Sequence, residues 1–421
     1  MALYERKQLG TLLERLDETP RTLIFVAGPR QVGKTTLIEQ AKKALDRELL
    51  LVSVDEPDPG STPAPGGAAE TTPANTLVSV PREPDTMWLV DVWRDARTNA
   101  DLSERGYVLA LDEIQKVPGW SETVKGLWDA DRREQRPLHV ILSGSAPLLM
   151  QRGLTESLAG RFETISLKHW SFTEMSRAFG LTVSEYVYFG GYPGALEHMG
   201  DHDRWHDYIF NALVEPNIER DILAMQRVDK PALLKQLFEV GVTSSGQILS
   251  YTKMLGQLQD AGNTTTLARY LSLMERVGLL AGLKNYTGGI YRRRASSPKL
   301  NVLNTGLMSA LSGYTFEEAQ ADRTFWGRLV ESAVGAHLWN SATGPTHLWY
   351  WRQNGSEVDF VLQRGPRLVA FEAKSHQGTA DRRGLAEFRK RFRPVRTVVV
   401  GGDGVALEEF LSVPANDWFK T

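Results

Sequence analysis

The segment that most constrains the fold of this chain is Gly28-Pro-Arg-Gln-Val-Gly-Lys-Thr35, which has the spacing G-x-x-x-x-G-K-[ST]. Its glycines allow backbone N–H groups to surround a phosphate. The apolar run at residues 22–27 before it predicts a strand buried on both faces of a parallel sheet, and the residues after it predict a helix. A strand, a glycine-rich loop and a helix in this order predict an α/β fold with a phosphate-binding loop.

This loop predicts binding of ATP with Mg²⁺. Lys34 is expected to contact the β- and γ-phosphates, which also makes it a catalytic residue, and the Thr35 hydroxyl is expected to hold Mg²⁺. The N–H groups that begin the following helix favour an anion at the same place. The predicted nucleotide-binding residues are Gly28, Pro29, Arg30, Gln31, Val32, Gly33, Lys34, Thr35 and Thr36.

Three further apolar runs, at residues 49–54, 107–111 and 139–143, predict additional buried strands, and two of them end in polar side chains. After residue 111 come Asp112, expected to orient Mg²⁺ through water, and Glu113, expected to polarise the attacking water as catalytic base. The next strand ends at Ser143, the preferred residue for sensing the γ-phosphate, with Ser145 as the alternate. Arg161 is interpreted as an arginine finger or lid arginine, or alternatively as a plain surface arginine.

Composition limits the class of protein. A length of 421 residues predicts two to four domains, and the absence of cysteine excludes disulfides, cysteine zinc sites and thiol catalysis. The first residues do not resemble a signal peptide, and no apolar stretch approaches the roughly 20 residues that span a bilayer. We therefore expect a cytoplasmic protein without a membrane partner. The net charge of −2 leaves any basic surface local, and residues 289–421 contain 18 Lys and Arg against 13 Asp and Glu.

Changes in pattern along the chain predict four segments. Residues 1–178 are expected to form the ATPase core, within which residues 55–85, rich in Pro, Gly, Ala and Thr, are expected to be a disordered insertion. Residues 179–228 predict a helical lid or connector. Residues 229–295 predict a winged-helix domain, and residues 296–421 predict a small α/β domain.

The winged-helix prediction rests on a helix followed by a hairpin. Asn263 is placed to cap a helix at residues 267–277, and predicted strands at 279–286 and 290–294 flank a turn at 287–289. The helix carries Arg269 and Arg276 and the second strand carries Arg292-Arg-Arg294, which suits contact with DNA phosphates. A winged helix that binds protein is the alternative.

Several segments together resemble a group within the prokaryotic AAA+ superfamily, a resemblance that covers essentially the whole chain. They are residues 28–35, 111–120 (Leu-Asp-Glu-Ile-Gln-Lys-Val-Pro-Gly-Trp), 142–145, 158–161, 190–193, 303–307 and 355–360. The resemblance implies a P-loop ATPase module followed by a C-terminal domain of unassigned function. The chain departs from it in the insertion after the second strand and in Asn304, where an aspartate is expected.

A second set of polar residues lies in residues 296–421. Asp359 and Glu357 share one face of a predicted strand, and Glu372 and Lys374 share a face of the next strand. If these strands pair as a hairpin, the side chains converge, and Asp359 and Glu372 could bind a second Mg²⁺ or Mn²⁺. Lys374 would then orient or activate water.

With Glu331 on a predicted helix, the set Glu331, Asp359, Glu372 and Lys374 resembles the catalytic residues of the PD-(D/E)XK nuclease fold, including archaeal-type Holliday junction resolvases. Three interpretations stay open. The strands could form an alternating solvent-exposed hairpin, the domain could bind DNA without cleaving it, or it could be an active metal-dependent nuclease.

The sequence thus predicts an α/β, AAA+-like P-loop sheet followed by a winged-helix block and a nuclease-like domain. The function that this combination favours is ATP-driven processing of duplex or branched DNA, and an arginine finger acting between subunits would require a homo-oligomer. A nucleotide-dependent switch or scaffold, with a C-terminal domain that docks a protein partner, is the rival hypothesis. A small-molecule kinase is disfavoured because no acceptor-binding motif follows the loop.

Overall fold

A computed structural model of the chain describes residues 4–54, 84–144, 157–222, 230–259, 262–288, 296–374 and 383–420. Contacts between residues divide the chain into two compact units. The first unit comprises Glu5–Gly28 and Gly33–Leu167, and the second comprises Lys168–Thr421 together with Met1–Tyr4 and Pro29–Val32.

The first unit is built on a five-stranded parallel sheet. Its strands are β1 (Leu23–Ala27), β2 (Leu49–Ser53), β3 (Tyr107–Asp112), β4 (Leu138–Gly144) and β5 (Phe162–Ser166), in the order β2-β3-β4-β1-β5. Every residue of β3 and β4 is buried, which is why both appear in the sequence as continuous apolar runs. The four predicted strands are present. The fifth, β5, was missed because it is a half-buried edge strand with alternating polar residues.

The helices of the first unit are α1 (Gln8–Asp17), α2 (Lys34–Ala44), α3 (Thr86–Leu102) and α4 (Trp120–Glu134). Trp93 on α3 and Trp128 on α4 are fully buried in the core that covers the sheet. Residues 55–83 of the predicted insertion lie outside the described residues. Asp85, the last residue assigned to that insertion, is instead the N-cap of α3, because its Oδ1 accepts the N–H of Trp88 at 2.8 Å.

The second unit begins with short helices and then three helices packed near a two-stranded sheet. The helices are α5 (Phe172–Phe179), α6 (Val183–Phe189), α7 (His202–Asp207), α8 (Pro231–Thr243), α9 (Tyr251–Leu255) and α10 (Thr264–Arg276), and π-helical turns span Tyr208–Val214 and Asn217–Ile222. The Asn263 side chain caps α10 by accepting the N–H of Thr266 at 2.9 Å, as the sequence predicted.

The hairpin expected after α10 has a different partner strand. β6 (Leu280–Leu283) pairs antiparallel with β7 (Lys299–Val302), which lies beyond the predicted boundary at residue 295. The expected second strand at residues 290–294, including Arg292, Arg293 and Arg294, lies outside the described residues. All four residues of β7 are buried, including the polar residues Lys299 and Asn301.

The rest of the second unit is a three-layer α/β arrangement. Its helices are α11 (Gly306–Ser312), α12 (Phe316–Ala321), α13 (Arg323–Ser341), α14 (Arg383–Phe392) and α15 (Leu407–Ser412). Its strands are β8 (Thr346–Gln353), β9 (Ser356–Arg364), β10 (Arg367–Ala373) and β11 (Arg396–Val400), in the order β11-β10-β9-β8. β9 and β10 form the predicted antiparallel hairpin, and β10 and β11 are parallel.

The two faces of this sheet pack against different helices. Phe371 of β10 joins the core that contains Leu338 of α13, whereas Val361 of β9 joins the core that contains Phe388 of α14. Burial on both faces is consistent with the near-continuous apolar sequence of β10. None of the helices among the described residues combines the length and apolarity that crossing a bilayer requires.

Candidate nucleotide site and a buried lysine–carboxylate cluster

The loop after β1 depends on two glycines. A Cβ at Gly28 would lie 2.3 Å from the carbonyl oxygen of Leu167, and Gly33 adopts a φ of +87°, in the region that favours glycine. Gly33 is also the N-cap of α2, so the backbone N–H groups of the first helical turn lie next to the loop. Lys34 begins this helix, and its Nζ donates to the carbonyl of Gly28 at 3.1 Å. Backbone donors and an ammonium thus converge on one concave loop, an arrangement that suits phosphate.

Asp112 connects the loop to the ends of two other strands. Its Oδ2 accepts from the Thr35 hydroxyl at 2.6 Å, and its Oδ1 accepts from the Ser143 hydroxyl and from the N–H of Glu113 at 3.1 Å. Asp112 is only 4% exposed and Ser143 is fully buried. Because β4 lies between β1 and β3, the parallel topology brings these three carboxyl ends together.

Two residues of the predicted site have a backbone conformation that non-glycine residues rarely adopt. Glu113 has a φ of +56° and Gln31 a φ of +57°. Such residues each cost on the order of 1 kcal/mol and concentrate at functional sites. The Glu113 carboxylate, half-buried, accepts from the Gln115 amide at 2.6 Å, and the Gln31 side chain accepts from the Tyr208 hydroxyl at 2.9 Å.

These residues fit Mg²⁺ and a nucleotide. A hydroxyl and a carboxylate in direct contact are hard oxygen donors of the kind that Mg²⁺ prefers. Among the described parts of the chain, the hydrogen bonds to Asp112 come from hydroxyls and a backbone N–H, not from a cationic side chain. The carboxylate therefore keeps a negative charge that a cation could neutralise.

Arg161 makes a two-point ion pair with Asp129 of α4. Its Nε lies 2.8 Å from Oδ1 and its Nη2 donates to Oδ2 at 3.0 Å. This contact raises the pKa of the guanidinium and lowers that of the carboxyl. The structure thus shows a partner for Arg161 within its own chain, and its role as an arginine finger stays a prediction. Ser145, the alternate sensor, lies outside the described residues.

In the second unit, Lys299 of β7 lies at the centre of a carboxylate cluster. Its side chain is fully buried, and its Nζ lies 2.6 Å from Glu331 Oε1, 2.9 Å from Asp359 Oδ1 and 3.6 Å from Glu357 Oε1. The other oxygen of Asp359 accepts the N–H of Ala373 at 2.9 Å. The sequence-based site did not include Lys299. The alternation of Lys299 and Asn301 with Leu300 and Val302, which places the two polar side chains on one face of a strand, was a signal that could have found it.

The predicted residues Glu372 and Lys374 pair with each other at the end of β10, with Lys374 Nζ 2.9 Å from Glu372 Oε1. Burial, and next the nearby charge of Asp359, raise the pKa of Glu372 to about 7, while Lys374 acts in the opposite direction. The structure therefore brings together all four residues of the predicted nuclease-like set. Their catalytic and metal-binding roles stay predictions.

Burial has a similar effect on the helix carboxylate of this cluster. It raises the pKa of Glu331 to about 7, aided by the charge of Asp359 and opposed by Lys299. Burial alone would lower the pKa of Lys299, but the charges of Asp359 and Glu331 outweigh it, so the net effect is a raised pKa. Lys299 is therefore a permanent cation at neutral pH.

Asn304, the position at which an aspartate was expected, has a clear structural role. Its Oδ1 accepts the N–H groups of Gly191 and Gly306, both at 3.2 Å. Its Nδ2 lies 3.4 Å from His169 Nδ1, and His169 Nε2 lies 2.7 Å from the carbonyl of Gly278. The amide supplies both an acceptor and a donor to this buried network, which an ionised aspartate could not do.

The residues expected to contact DNA on α10, Arg269 and Arg276, are both exposed. A larger basic surface lies on α14, whose apolar side is buried through Leu385 and Phe388. Between residues 383 and 396 there are six basic residues against the single acidic residue Glu387. The exposed basic residues, called here the α14 basic surface, are Arg383, Arg389, Lys390, Arg391, Arg393 and Arg396.

Comparison with protein families divides the chain into three matches. Residues 20–176 match the model of an AAA domain. Residues 180–318 match a domain of unknown function, DUF8612, and residues 326–415 match another, DUF4143.

Two curated relatives align with most of this chain. The chain is 25% identical over 377 residues to the uncharacterized protein Rv2008c of Mycobacterium tuberculosis, covering 88% of this chain and 74% of that protein. The uncharacterized protein Mb2031c of Mycobacterium bovis gives the same values. Among solved structures, the Walker-type ATPase PABY2304 of Pyrococcus abyssi is 16% identical with a TM-score of 0.48, covering 74% of this chain and 96% of that one.

The AAA match covers the segment that contains β1 to β5, the phosphate-binding loop and the Thr35–Asp112–Ser143 contacts. The parallel sheet and the loop geometry agree with that match. Residues 20–176 of this chain are therefore similar to an AAA domain and have the sheet and loop of a P-loop fold.

Proposed function

We propose that this chain is an Mg²⁺-dependent ATPase whose hydrolysis is coupled to duplex or branched DNA. The observation that carries the hydrolytic part is the direct contact of Thr35 with Asp112 beside Lys34. In this site Thr35 and Asp112 would hold Mg²⁺, which neutralises charge on the phosphates when bound. Lys34 binds the phosphates, Ser143 orients Asp112, and Glu113 accepts the proton of the attacking water.

The DNA part of the proposal is supported by the α14 basic surface. DNA binding releases condensed counter-ions as Lys and Arg neutralise phosphates, so a local cluster of cations suffices even in a chain with a net charge of −2. Arg389 and Lys390 are neighbours on the exposed side of α14. As the second element of the proposal, the exposed residues Arg269 and Arg276 of α10 also contact DNA phosphates.

The test is ATP hydrolysis by the full chain, measured as phosphate release with and without a panel of duplex and branched DNA. We expect DNA to raise the rate and Lys34→Ala to abolish it. The double variant Arg389→Gln/Lys390→Gln should keep the rate without DNA and weaken DNA binding, with the slope of log K against log salt reduced by about 2. The matched control is Arg94→Gln/Arg105→Gln, which removes two exposed charges from the first unit.

The outcomes separate the two halves of the proposal. A rate that is the same with every DNA removes the DNA coupling but leaves the ATPase assignment intact. Hydrolysis that survives in Lys34→Ala removes the ATPase assignment. If the control double variant lowers DNA affinity as much as Arg389→Gln/Lys390→Gln does, the α14 basic surface is not the DNA contact.

A second candidate is a nucleotide-dependent switch or scaffold in which the C-terminal domain docks a protein partner without cleaving DNA. The ion pairs of Lys299 favour this docking role over nuclease activity, because they engage Glu331 and Asp359, two carboxylates that cleavage would require. Slow turnover, together with a change of oligomeric state on ATP binding measured by light scattering, would support the switch. DNA-stimulated turnover at constant oligomeric state would exclude it.

A further inference from the structure

The buried ammonium of Lys299 bears directly on the second metal ion that the nuclease-like resemblance implies. The ammonium is within 3.6 Å of three carboxylates, which come from α13 and β9, and the ring of Phe360 lies 5.0 Å from it. A fully buried ammonium is stable only when such partners compensate it. The ion pairs are therefore part of the folded structure of the second unit.

The two carboxylates predicted to bind that metal are both engaged by groups of this chain. Asp359 contacts Lys299 through Oδ1 and the N–H of Ala373 through Oδ2, and Glu372 contacts Lys374 through Oε1. Mg²⁺ requires near-octahedral oxygens at about 2.0–2.1 Å, normally one or two carboxylates and several waters. Throughout the described ranges, no group of three or more His, Asp or Glu side chains is arranged to hold a metal ion. Because Lys299 and the N–H of Ala373 engage both oxygens of Asp359, these residues as arranged do not fit the implied metal.

Lys299 cannot readily make room for a metal. Its side chain is fully buried, and its backbone is held in β7, in register with Leu283 of β6. A divalent cation bound to Asp359 would repel the ammonium, and moving the ammonium away would leave a charge beside apolar groups such as Phe360. Occupancy by the lysine and occupancy by a divalent cation are therefore mutually exclusive.

We infer that Lys299 is the built-in counter-ion of this cluster and occupies the position beside Asp359 Oδ1 that a divalent cation bound by Asp359 would need. The cluster then ties β7 to α13 and β9 and is not a metal-dependent hydrolytic centre. This inference goes beyond the proposed function and does not depend on it, since it concerns neither ATP nor DNA binding.

The first test counts metal ions on the full chain without nucleotide, using Mn²⁺ as the probe and electron paramagnetic resonance to measure the free ion. Wild type is compared with Asp359→Asn and Glu372→Gln. The control is Glu387→Gln, at an exposed position of α14. We expect all four to bind the same number of Mn²⁺ ions, because any Mn²⁺ held near Asp112 is common to them. Loss of one ion in Asp359→Asn or Glu372→Gln, but not in the control, overturns the inference.

The second test removes the ammonium while nearly keeping its volume. Lys299→Met should bind one more Mn²⁺ ion than wild type. Its affinity should exceed any wild-type affinity in this cluster by at least about tenfold, a difference of about 1.4 kcal/mol in binding free energy. The gain should disappear in Lys299→Met/Asp359→Asn and be absent from Lys390→Met, which removes an exposed lysine. A folded Lys299→Met variant that gains no Mn²⁺ overturns the assignment. If Lys299→Met does not fold, the number of Mn²⁺ ions bound by wild type and by Glu372→Gln still tests the inference. Glu372→Gln leaves the ion pairs of Lys299 in place, because Glu372 contacts Lys374 rather than Lys299.

Discussion

Asp112 in the first unit and Asp359 in the second are both strand carboxylates withdrawn from solvent, but their partners differ in charge. Asp112 accepts from the hydroxyls of Thr35 and Ser143 and from a backbone N–H. Asp359 accepts from the ammonium of Lys299 and from a backbone N–H. The two carboxylates accept a similar number of hydrogen bonds, and among the residues that the structure describes only Asp359 of the two is hydrogen-bonded to a cationic side chain.

This difference teaches how a buried carboxylate can be either open or closed to an exchangeable cation. Hydroxyl donors fix the orientation of Asp112 but leave its charge, so a metal ion bound there gains the full attraction. The ammonium of Lys299 lies 2.9 Å from Asp359, so a metal ion would first have to displace it. The presence of carboxylates therefore does not by itself make a metal site. Whether a carboxylate can bind a metal ion depends on whether its hydrogen-bond donors are neutral, as at Asp112, or cationic, as at Asp359.

The largest effect that would sharpen this comparison is expected for Lys299→Met. Removing one partner of a buried ion pair leaves uncompensated charge, which costs about 3–5 kcal/mol. Glu331 and Asp359 would both lose their closest cation, at 2.6 and 2.9 Å. The measurement is urea unfolding followed by tryptophan fluorescence, at pH 7.5 without divalent ions, so that a gained metal does not mask the loss.

Lys390→Met is the control, because it removes an exposed lysine from α14. It should change the free energy of unfolding by less than about 0.5 kcal/mol. If Lys299→Met were no less stable than the control, the ion pairs would contribute nothing to folding and the contrast with Asp112 would fail.

The next largest effect is expected for Asp112→Asn. In contrast to Lys299→Met, this substitution should reduce activity and not stability. The amide keeps the shape of the side chain. Its oxygen can still accept from Ser143 and from the N–H of Glu113, and its NH2 can donate to the hydroxyl oxygen of Thr35, so the free energy of unfolding should change little. The rate of ATP hydrolysis should fall at least about 100-fold, because the charge that holds Mg²⁺ is lost. Phosphate release and urea unfolding, measured on the same sample, separate the two properties.

Asp91→Asn, an exposed change on α3, controls for charge alone and should leave hydrolysis unaffected. A large loss of stability in Asp112→Asn would mean that its carboxylate is compensated within the fold. The distinction between an open and a closed carboxylate would then not hold.

The sequence predicted the strands and the helix around the first of these carboxylates well because their signals are local. Residues 28–35 have a fixed spacing, and β3 and β4 are apolar runs that end at Asp112 and Ser143. The carboxyl ends of neighbouring parallel strands meet at one edge, so a linear pattern was enough to predict convergence. The antiparallel hairpin of β9 and β10 was predicted for a similar reason, from two apolar runs separated by a short turn.

The sequence could not predict what depends on distant pairing. Lys299 and Asp359 are 60 residues apart, and nothing in the local pattern links them. β6 likewise pairs with β7, which lies beyond residues 290–294, the segment that the local pattern predicted as the second strand of the hairpin. β5 was missed because an edge strand exposes one side, which weakens the apolar pattern on which the other strands were recognised. In each case the decisive contact is set by the fold and not by spacing along the chain.

The smallest of the three effects concerns acid stability, to which one buried histidine with a lowered pKa contributes in each unit, among the residues that the structure describes. Burial, and next the charge of Arg47, lower the pKa of His139 in β4 to about 4. Burial lowers the pKa of His337 in α13 to about 4 as well, against a weaker opposing hydrogen bond with the carbonyl of Val413. Between pH 4 and the ordinary histidine value of 6.5, the unfolded chain therefore binds the proton that the folded chain refuses. Folding stability must fall as the pH falls through this window.

The carboxylates of the second unit act with the opposite sign. The pKa values of Glu331 and Glu372 are raised to about 7, so between their ordinary value of 4.5 and pH 7 the folded state binds more protons than the unfolded state. They add stability as the pH falls through this window, which opposes His337. The first unit buries His139, and no matching pair of raised carboxylates is found among its described residues. The first unit should consequently be the more acid-sensitive of the two.

We expect His139→Gln and His337→Gln each to remove about 2 kcal/mol of the stability lost between pH 7.5 and pH 5, since neither glutamine takes up a proton. The measurement is urea unfolding of the full chain at both pH values, with the difference between variant and wild type isolating the histidine from the carboxylates. His347→Gln, at an exposed position of β8, is the control and should leave the pH dependence unchanged. Equal pH dependence in wild type and both variants would show that the folded state accommodates the two imidazolium ions. The buried environments of β4 and α13 would then be less restrictive than their packing implies, and acid sensitivity in both units would have to come from carboxylates alone.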